Sequence, residues 1–197
     1  MKRDFNLLAV AAAVLAVPLF AYSQTTGHRE ATRMVRVRAE LLRPLDALKE
    51  QSGSEVQVKL RQKVTLTDGT VLPDDTTLVG QVTVDDMQQR GVSKLALRFD
   101  QARLKDGTVV RIKATIVGFY GPEAGLRENF PPEGDMVPNS WTDGTLQLDQ
   151  LNVVAGVDLH SKISSGNSGV FVSTEKDDVK LKEGSEIQFA IGPSRGQ

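Results

Sequence analysis

Apolar and polar residues alternate along most of the chain after its amino-terminal segment, and this period of two is typical of half-buried β-strands. The clearest run opens at Pro73, which has no N–H and a fixed φ and therefore precedes the paired part of a strand. The alternation then predicts that Leu78, Gly80, Val82 and Val84 share one face of that strand. We take this strand as the element around which the neighbouring strands are organised.

Similar runs predict strands on both sides of this one. They are residues 35–41, 55–66, 94–100, 109–120, one or two strands within 146–159, 170–174 and 187–191. Asp-Gly pairs at 68–69, 106–107 and 143–144 predict tight turns, because glycine takes positive φ freely and aspartate tolerates it. Segment 85–91 is expected to form one helical turn. These signals predict an all-β fold, a β-barrel or closed β-sandwich of about eight to ten strands after an amino-terminal signal helix.

The amino terminus has the features of a secretory signal peptide. Lys2 and Arg3 precede an apolar run at 7–20, and Ala21 and Ser23 are small residues at the −3 and −1 positions of a cleavage site. A membrane anchor is the alternative, but this run is shorter than the ~20 residues of a spanning helix, and we expect no transmembrane span after cleavage. The sequence therefore predicts export to the periplasm or outer envelope of a Gram-negative-type bacterium, or secretion.

The predicted domain organisation follows from these signals. We expect a signal peptide at 1–23, a polar leader at 24–33, a β-barrel domain at 34–192 and a disordered tail at 193–197. The chain contains no cysteine, which excludes disulfides, thiolate metal sites and a lipid-anchor cysteine.

A long loop at 121–141 interrupts the strand pattern and contains four prolines. Loops of more than about 15 residues in a compact domain are usually functional or mobile. Phe130 within it and Trp141 at its end are the candidate binding residues. Two hypotheses apply to them: they fold back as a lid on the sheet, which we favour, or they contact a ligand.

Charge excludes some classes of partner. The chain has 24 basic and 25 acidic residues and a formal net charge of −1, so no overall field favours nucleic acid. One segment is locally basic and is interpreted as a solvated strand face in preference to a polyanion contact; its residues are Arg29, Arg33, Arg36, Arg38 and Arg43.

Catalytic and metal-binding patterns are weak. The run Gly166-Asn167-Ser168-Gly169 is superficially like the loop of a serine nucleophile, but it is also a good β-turn, and the only two histidines are His28 and His160. We expect His160 to be a surface histidine or one with a satisfied partner. The Asp pairs at 74–75, 85–86 and 177–178 lack the spacing of a calcium loop and are interpreted as solvated turns. The sequence therefore predicts no enzymatic activity, no metal and no cofactor.

Two segments carry a family resemblance. Residues 71–82 have the pattern V-L-P-x-x-T-x-L-x-G-x-V, and residues 179–189 have V-x-L-x-x-G-S-x-I-x-F. With the Asp-Gly turns, they resemble the carboxy-terminal domain of TrbI-type subunits of conjugation and type IV secretion channels, over about 35–120 and 170–191. The resemblance implies a β-barrel with an envelope role, in which a proline-glycine-threonine turn precedes a central barrel strand and a second such turn precedes the last strand.

The chain departs from that family at three points. Asp75 stands where the family usually has glycine, a cleavable signal replaces the anchored amino terminus with its proline-rich linker, and there is no helix pair able to cross an outer membrane. The leading expectation is a non-enzymatic exported envelope protein with a structural or assembly role, for which an envelope or secretion-system protein is a possible partner. A secreted ligand-binding module using the 121–141 loop is the alternative, and a hydrolase ranks last. The sequence specifies neither the partner nor an oligomeric state.

Overall fold

The computed structural model describes residues 34–122, 147–175 and 177–194. The described residues form strands and turns without a helix, which confirms the all-β prediction. The strands are β1 (Val35–Leu41), β2 (Leu45–Asp46), β3 (Glu55–Leu60), β4 (Val64–Thr65), β5 (Val71–Leu72), β6 (Thr77–Thr83), β7 (Ser93–Arg103), β8 (Val109–Tyr120), β9 (Gln147–Val154), β10 (Val157–Lys162), β11 (Gly169–Ser173), β12 (Lys180–Leu181) and β13 (Glu186–Pro193). The predicted signal peptide, leader and central loop 123–141 lie outside the described residues.

Six strands close into an antiparallel barrel. Their order is β6-β3-β1-β13-β8-β7, and β7 pairs back onto β6 to complete the ring. Closure gives β6, β3, β1 and β13 a strand partner on both sides, which reduces the number of free edges. Two short pairs, β2 with β12 and β4 with β5, supplement the barrel.

Three further strands extend the sheet where β7 and β8 diverge. These two strands pair only between residues 101–103 and 109–111, after which β11 takes the free side of β7 by pairing Gly169–Ser173 with Ser93–Leu97. Strand β10 pairs with β11, and β9 pairs with β10. We call β9, β10 and β11 the extension; with the barrel it makes a nine-stranded sheet, within the predicted number.

The core runs continuously from the barrel into the extension. Phe99 and Phe189 meet edge to face inside the barrel, with ring centroids 5.0 Å apart. Phe119 on β8 and Phe171 on β11 form a second edge-to-face pair at 5.2 Å. Such pairs add to the hydrophobic stabilisation of burial. The second pair packs the extension against the barrel wall.

The organising strand β6 follows the predicted alternation with one error. Leu78, Gly80 and Val82 are buried as expected, and Val79, which lies opposite a bulge at Asp100 of β7, is buried as well. The prediction for Val84 is wrong, because β6 ends one residue earlier and the Val84 side chain is exposed.

Several element boundaries, and one element, differ from the sequence-based expectations. The segment expected at 55–66 divides into β3 and β4. Strand β13 includes Pro193, which pairs with Ile112, so the ordered chain continues past 192. Segment 85–91 is not helical: the Asp85 carboxylate accepts hydrogen bonds from the N–H groups of Met87 (3.0 Å) and Gln89 (2.7 Å). An aspartate that bonds nearby backbone in this way favours a turn over a helix.

Two of the three Asp-Gly turns are confirmed, and the third, at 143–144, lies outside the described residues. Gly69 and Gly107 have φ of 86° and 85°. In each turn the preceding aspartate accepts a hydrogen bond of 2.9 Å from the N–H of a threonine two residues further on. The side chain thus replaces a backbone acceptor in the turn.

Asp75 has φ of 63°. Glycine adopts this left-handed conformation freely, and aspartate is among the residues that tolerate it. Its carboxylate lies 2.9 Å from the Nζ atoms of both Lys59 and Lys105. Hydrogen bonds from Lys59 and then Lys105 lower the pKa of Asp75 to about 2. The aspartate therefore ties this turn to β3 and to the β7–β8 turn.

Candidate functional site

A polar groove of about 460 Å³ lies between the β9–β10 hairpin and the turn that follows β6. Its size is within the range of about 300–1,000 Å³ that is usual for small-molecule sites. The groove is lined by Asp86, Met87, Gln89, Gln147, Asp149, His160, Ser161, Lys162, Ser164 and Ser165.

One wall of the groove is a patch of four polar side chains on β9 and β10. The strand register places Gln147 opposite Lys162 and Asp149 opposite His160. Directly opposed residues, two apart along each strand, share a face of the sheet. Nδ1 of His160 lies 2.7 Å from Oδ1 of Asp149, which confirms the prediction of a satisfied histidine and leaves Nε2 for another partner.

The other wall is held by the loop between β10 and β11. The Asp86 carboxylate accepts hydrogen bonds of 2.7 Å from Oγ of Ser165 and from the N–H of Gly166. The buried Asn167 amide accepts from the N–H of Asp86 (2.8 Å) and donates to Oγ1 of Thr83 (2.6 Å). Hydrogen bonds therefore connect the turn after β6 to the 163–168 loop.

Ser168, the serine of the predicted Gly-Asn-Ser-Gly run, fills the gap between β7 and β8. It is 2% exposed, and its Oγ accepts a hydrogen bond from the N–H of Phe99 (2.9 Å). Its own N–H donates to the carbonyl of Leu97, and its carbonyl accepts from Ile116, both at 2.7 Å. These contacts support the interpretation of this loop as a structural turn.

The basic segment is largely paired where it is described. Arg36 donates to the side-chain oxygen of Gln188, and Nε of Arg38 lies 3.6 Å from Glu186. Arg43 binds Glu50; this hydrogen bond raises the pKa of Arg43 and lowers the pKa of Glu50. These pairings disfavour a polyanion contact, and they differ from a freely solvated face because the side chains bind neighbouring residues. Arg29 and Arg33 lie outside the described residues.

Within residues 34–122, 147–175 and 177–194, no group of three or more His, Asp or Glu residues is positioned to hold a metal ion. Over the same ranges no helical segment has the length and apolar character that a membrane crossing requires.

Strand β9 is the outer strand of the extension, and among the described residues its one strand partner is β10. Its regular pairing is interrupted after Gln150 by a bulge, in which Asn152 has φ of 54° and its N–H donates to the Asp158 carboxylate at 2.9 Å. Leu151 stands at this bulge with 71% of its surface exposed. Exposed edge strands that carry apolar residues are sites where other chains pair.

The two candidate binding residues named from the sequence, Phe130 and Trp141, lie outside the described residues, so the lid and ligand-contact hypotheses both stay predictions. The base of the loop is described at Gly121 and Pro122, which border a small hollow of about 140 Å³ together with Val154 and Ser185.

The groove was not predicted from the sequence. The only sequence feature that pointed to this region was the irregular spacing of apolar residues in 146–159. That irregularity arises because the bulge in β9 shifts the alternation of the strand.

No family model matches this chain, and no curated protein matches it. Among solved structures, the chain is similar to ComB10 of the Com type IV secretion system of Helicobacter pylori. The sequence identity is 11%, the TM-score is 0.37, and the match covers 81% of this chain and 85% of that one. The resemblance is weak, and the function is therefore argued from the geometry of this protein.

Proposed function

We propose that this protein is a non-enzymatic, exported component of the cell envelope, and that it docks a partner protein on the extension. The observation that carries the proposal is that β9 has a strand partner on one side alone within the described residues, with Leu151 exposed beside that edge. The signal-peptide pattern at 1–23 supports export.

The extension is held against the barrel by β11 and by the 163–168 loop. All five residues of β11 are buried between β7 and β10, and Phe171 packs against Phe119 of the barrel. The 163–168 loop adds hydrogen bonds to three barrel residues, Leu97, Phe99 and Ile116. A partner would therefore meet a surface that is already ordered, which reduces the entropic cost of association.

The form of β9 indicates how a partner strand would bind. Gln147–Gln150 is the regular part of the strand, and a strand added there would gain main-chain hydrogen bonds. The bulge then presents Leu151 to an apolar pocket on the same partner. Burial of one leucine contributes about 1.5–3 kcal/mol, which corresponds to roughly a 10- to 100-fold change in affinity.

The test is photo-crosslinking in cells with a reactive amino acid in place of Leu151, followed by envelope fractionation. The matched control is the same replacement at Leu48, which is 73% exposed and lies in the turn after β2. We expect a discrete adduct with one envelope protein from position 151 and none from position 48. The added variant Leu151→Asp should abolish co-fractionation with that protein, and Leu48→Asp should retain it.

Equal crosslinking patterns at the two positions would contradict the proposal, because exposure alone would then explain them. Recovery of the mature chain as a soluble monomer with no adduct would also contradict it and favour the ligand-binding alternative.

A further inference from the structure

We propose that the polar groove between β9–β10 and the turn after β6 is a binding site for a neutral saccharide. The groove shares Gln147 and Asp149 with the proposed docking strand, but it uses their side chains on one face of the sheet, whereas docking uses the main chain at the edge of β9. This inference therefore does not rest on the proposed function.

The first argument is the chemistry of the wall formed by β9 and β10. Gln147, Lys162, Asp149 and His160 place an amide, an ammonium, a carboxylate and an imidazole on one face of two paired strands. Together they offer hydrogen-bond donors and acceptors in close alternation. Sugar hydroxyls both donate and accept, so a polyhydroxylated ligand can satisfy groups of both kinds.

The second argument is the balance of charge. Two carboxylates, Asp86 and Asp149, face the groove together with Lys162 and His160. The two carboxylates would repel an anionic ligand, and the lysine would repel a cationic ligand. The carboxylate of Asp86 is already bound to Ser165 and Gly166. In Asp149, Oδ1 is bound to His160 and Oδ2 accepts a hydrogen bond of 3.5 Å from the Gln147 amide. A neutral ligand is repelled neither by the carboxylates nor by the lysine.

The third argument is that contacts within the protein hold the polar groups of the groove in place. Asp149 orients the imidazole of His160, and the 163–168 loop holds the turn at Asp86 in place. The Asp85 carboxylate fixes the backbone of Met87 and Gln89, two residues that line the opposite wall. A site whose polar groups are already oriented gives up little entropy on binding. Ser164 adds a hydroxyl, and Met87 adds an apolar surface that suits the C–H face of a sugar ring.

The experiment is a titration of the ¹⁵N-labelled protein with three neutral probes: maltotetraose, cellotetraose and tetra-N-acetylchitotetraose. Amide chemical shifts and isothermal calorimetry are recorded up to about 10 mM ligand, which detects even millimolar affinity. We expect at least one probe to produce saturable shifts at groove residues. The variant Gln147→Ala should weaken that binding about tenfold, and Gln62→Ala, which removes an exposed glutamine outside the groove, should leave it unchanged.

Thermal melts of both variants confirm that they are folded, and Lys162→Ala provides a second groove variant if Gln147→Ala unfolds. The inference is overturned if none of the probes produces saturable shifts, or if the shifts map outside the groove. It is also overturned if polygalacturonate, an anionic saccharide, binds the groove in preference to the neutral probes.

Discussion

Replacing Gly80 with alanine tests the packing at the centre of the organising strand. A Cβ at this position would lie 2.5 Å from the carbonyl oxygen of Arg98 and 2.6 Å from Cδ1 of Phe99. The carbonyl belongs to the paired strand β7, and the Phe99 ring is held by its edge-to-face contact with Phe189, so neither neighbour can move freely. Overpacking of a core usually costs about 1–3 kcal/mol, and we expect the upper end of this range.

For a protein of this size, 1 kcal/mol corresponds to a change in Tm of about 2–4 °C, so Gly80→Ala should melt roughly 6–12 °C below the wild type. Urea unfolding followed by circular dichroism should give a matching loss of about 3 kcal/mol. The control is Gly121→Ala, where a Cβ would meet no atom within 4 Å. Its free energy of unfolding should stay within about 0.5 kcal/mol of the wild type. Equal stability of the two variants would refute the steric argument.

Two further changes test the polar contacts. Asn167→Ala removes hydrogen bonds to Thr83, Val84 and Asp86. At roughly 1 kcal/mol for each bond, the free energy of unfolding should decrease by about 2–3 kcal/mol. A decrease below about 0.5 kcal/mol in urea unfolding would contradict this expectation. Asp75→Asn keeps a residue that tolerates positive φ but removes the charge. Because the folded pKa of Asp75, about 2, lies below the usual value, the unfolded chain binds more protons in acid, and Tm of the wild type should fall as the pH decreases from about 4 to 2. This decrease should be smaller in the variant, and an equally steep decrease would show that the ion pairs with Lys59 and Lys105 contribute nothing.

The alternation of residue types determined the strands and the faces that they bury. Val56, Val58 and Leu60 on β3 are buried, as are Leu95, Leu97 and Phe99 on β7, in the pattern read from the sequence. This succeeds because successive side chains of a strand point to opposite faces, a property that depends on the strand alone. The two described Asp-Gly turns followed in the same way, since a turn is set by the backbone preferences of a few adjacent residues.

Predictions from local sequence preferences failed where a side chain bonded to the backbone or where a strand contained a bulge. The Asp85 carboxylate replaced the expected helical turn, and the bulges in β7 at Asp100 and in β9 after Gln150 shifted the alternation of those strands by one residue or more. A bulge is a property of a strand pair and leaves little trace in one strand's own sequence.

The candidate surfaces were decided by the tertiary structure alone. Asn167 and Asp86 are 81 residues apart in sequence, and they meet because β11 inserts beside β7 and carries the 163–168 loop across the gap to β8. The pairing of Asp149 with His160, and the exposure of Leu151 on the outer strand of the described sheet, depend on which strand ends that sheet. Strand order is set by the packing of the whole core, since many strands with the same alternation can pair with one another and only their combined burial selects one arrangement.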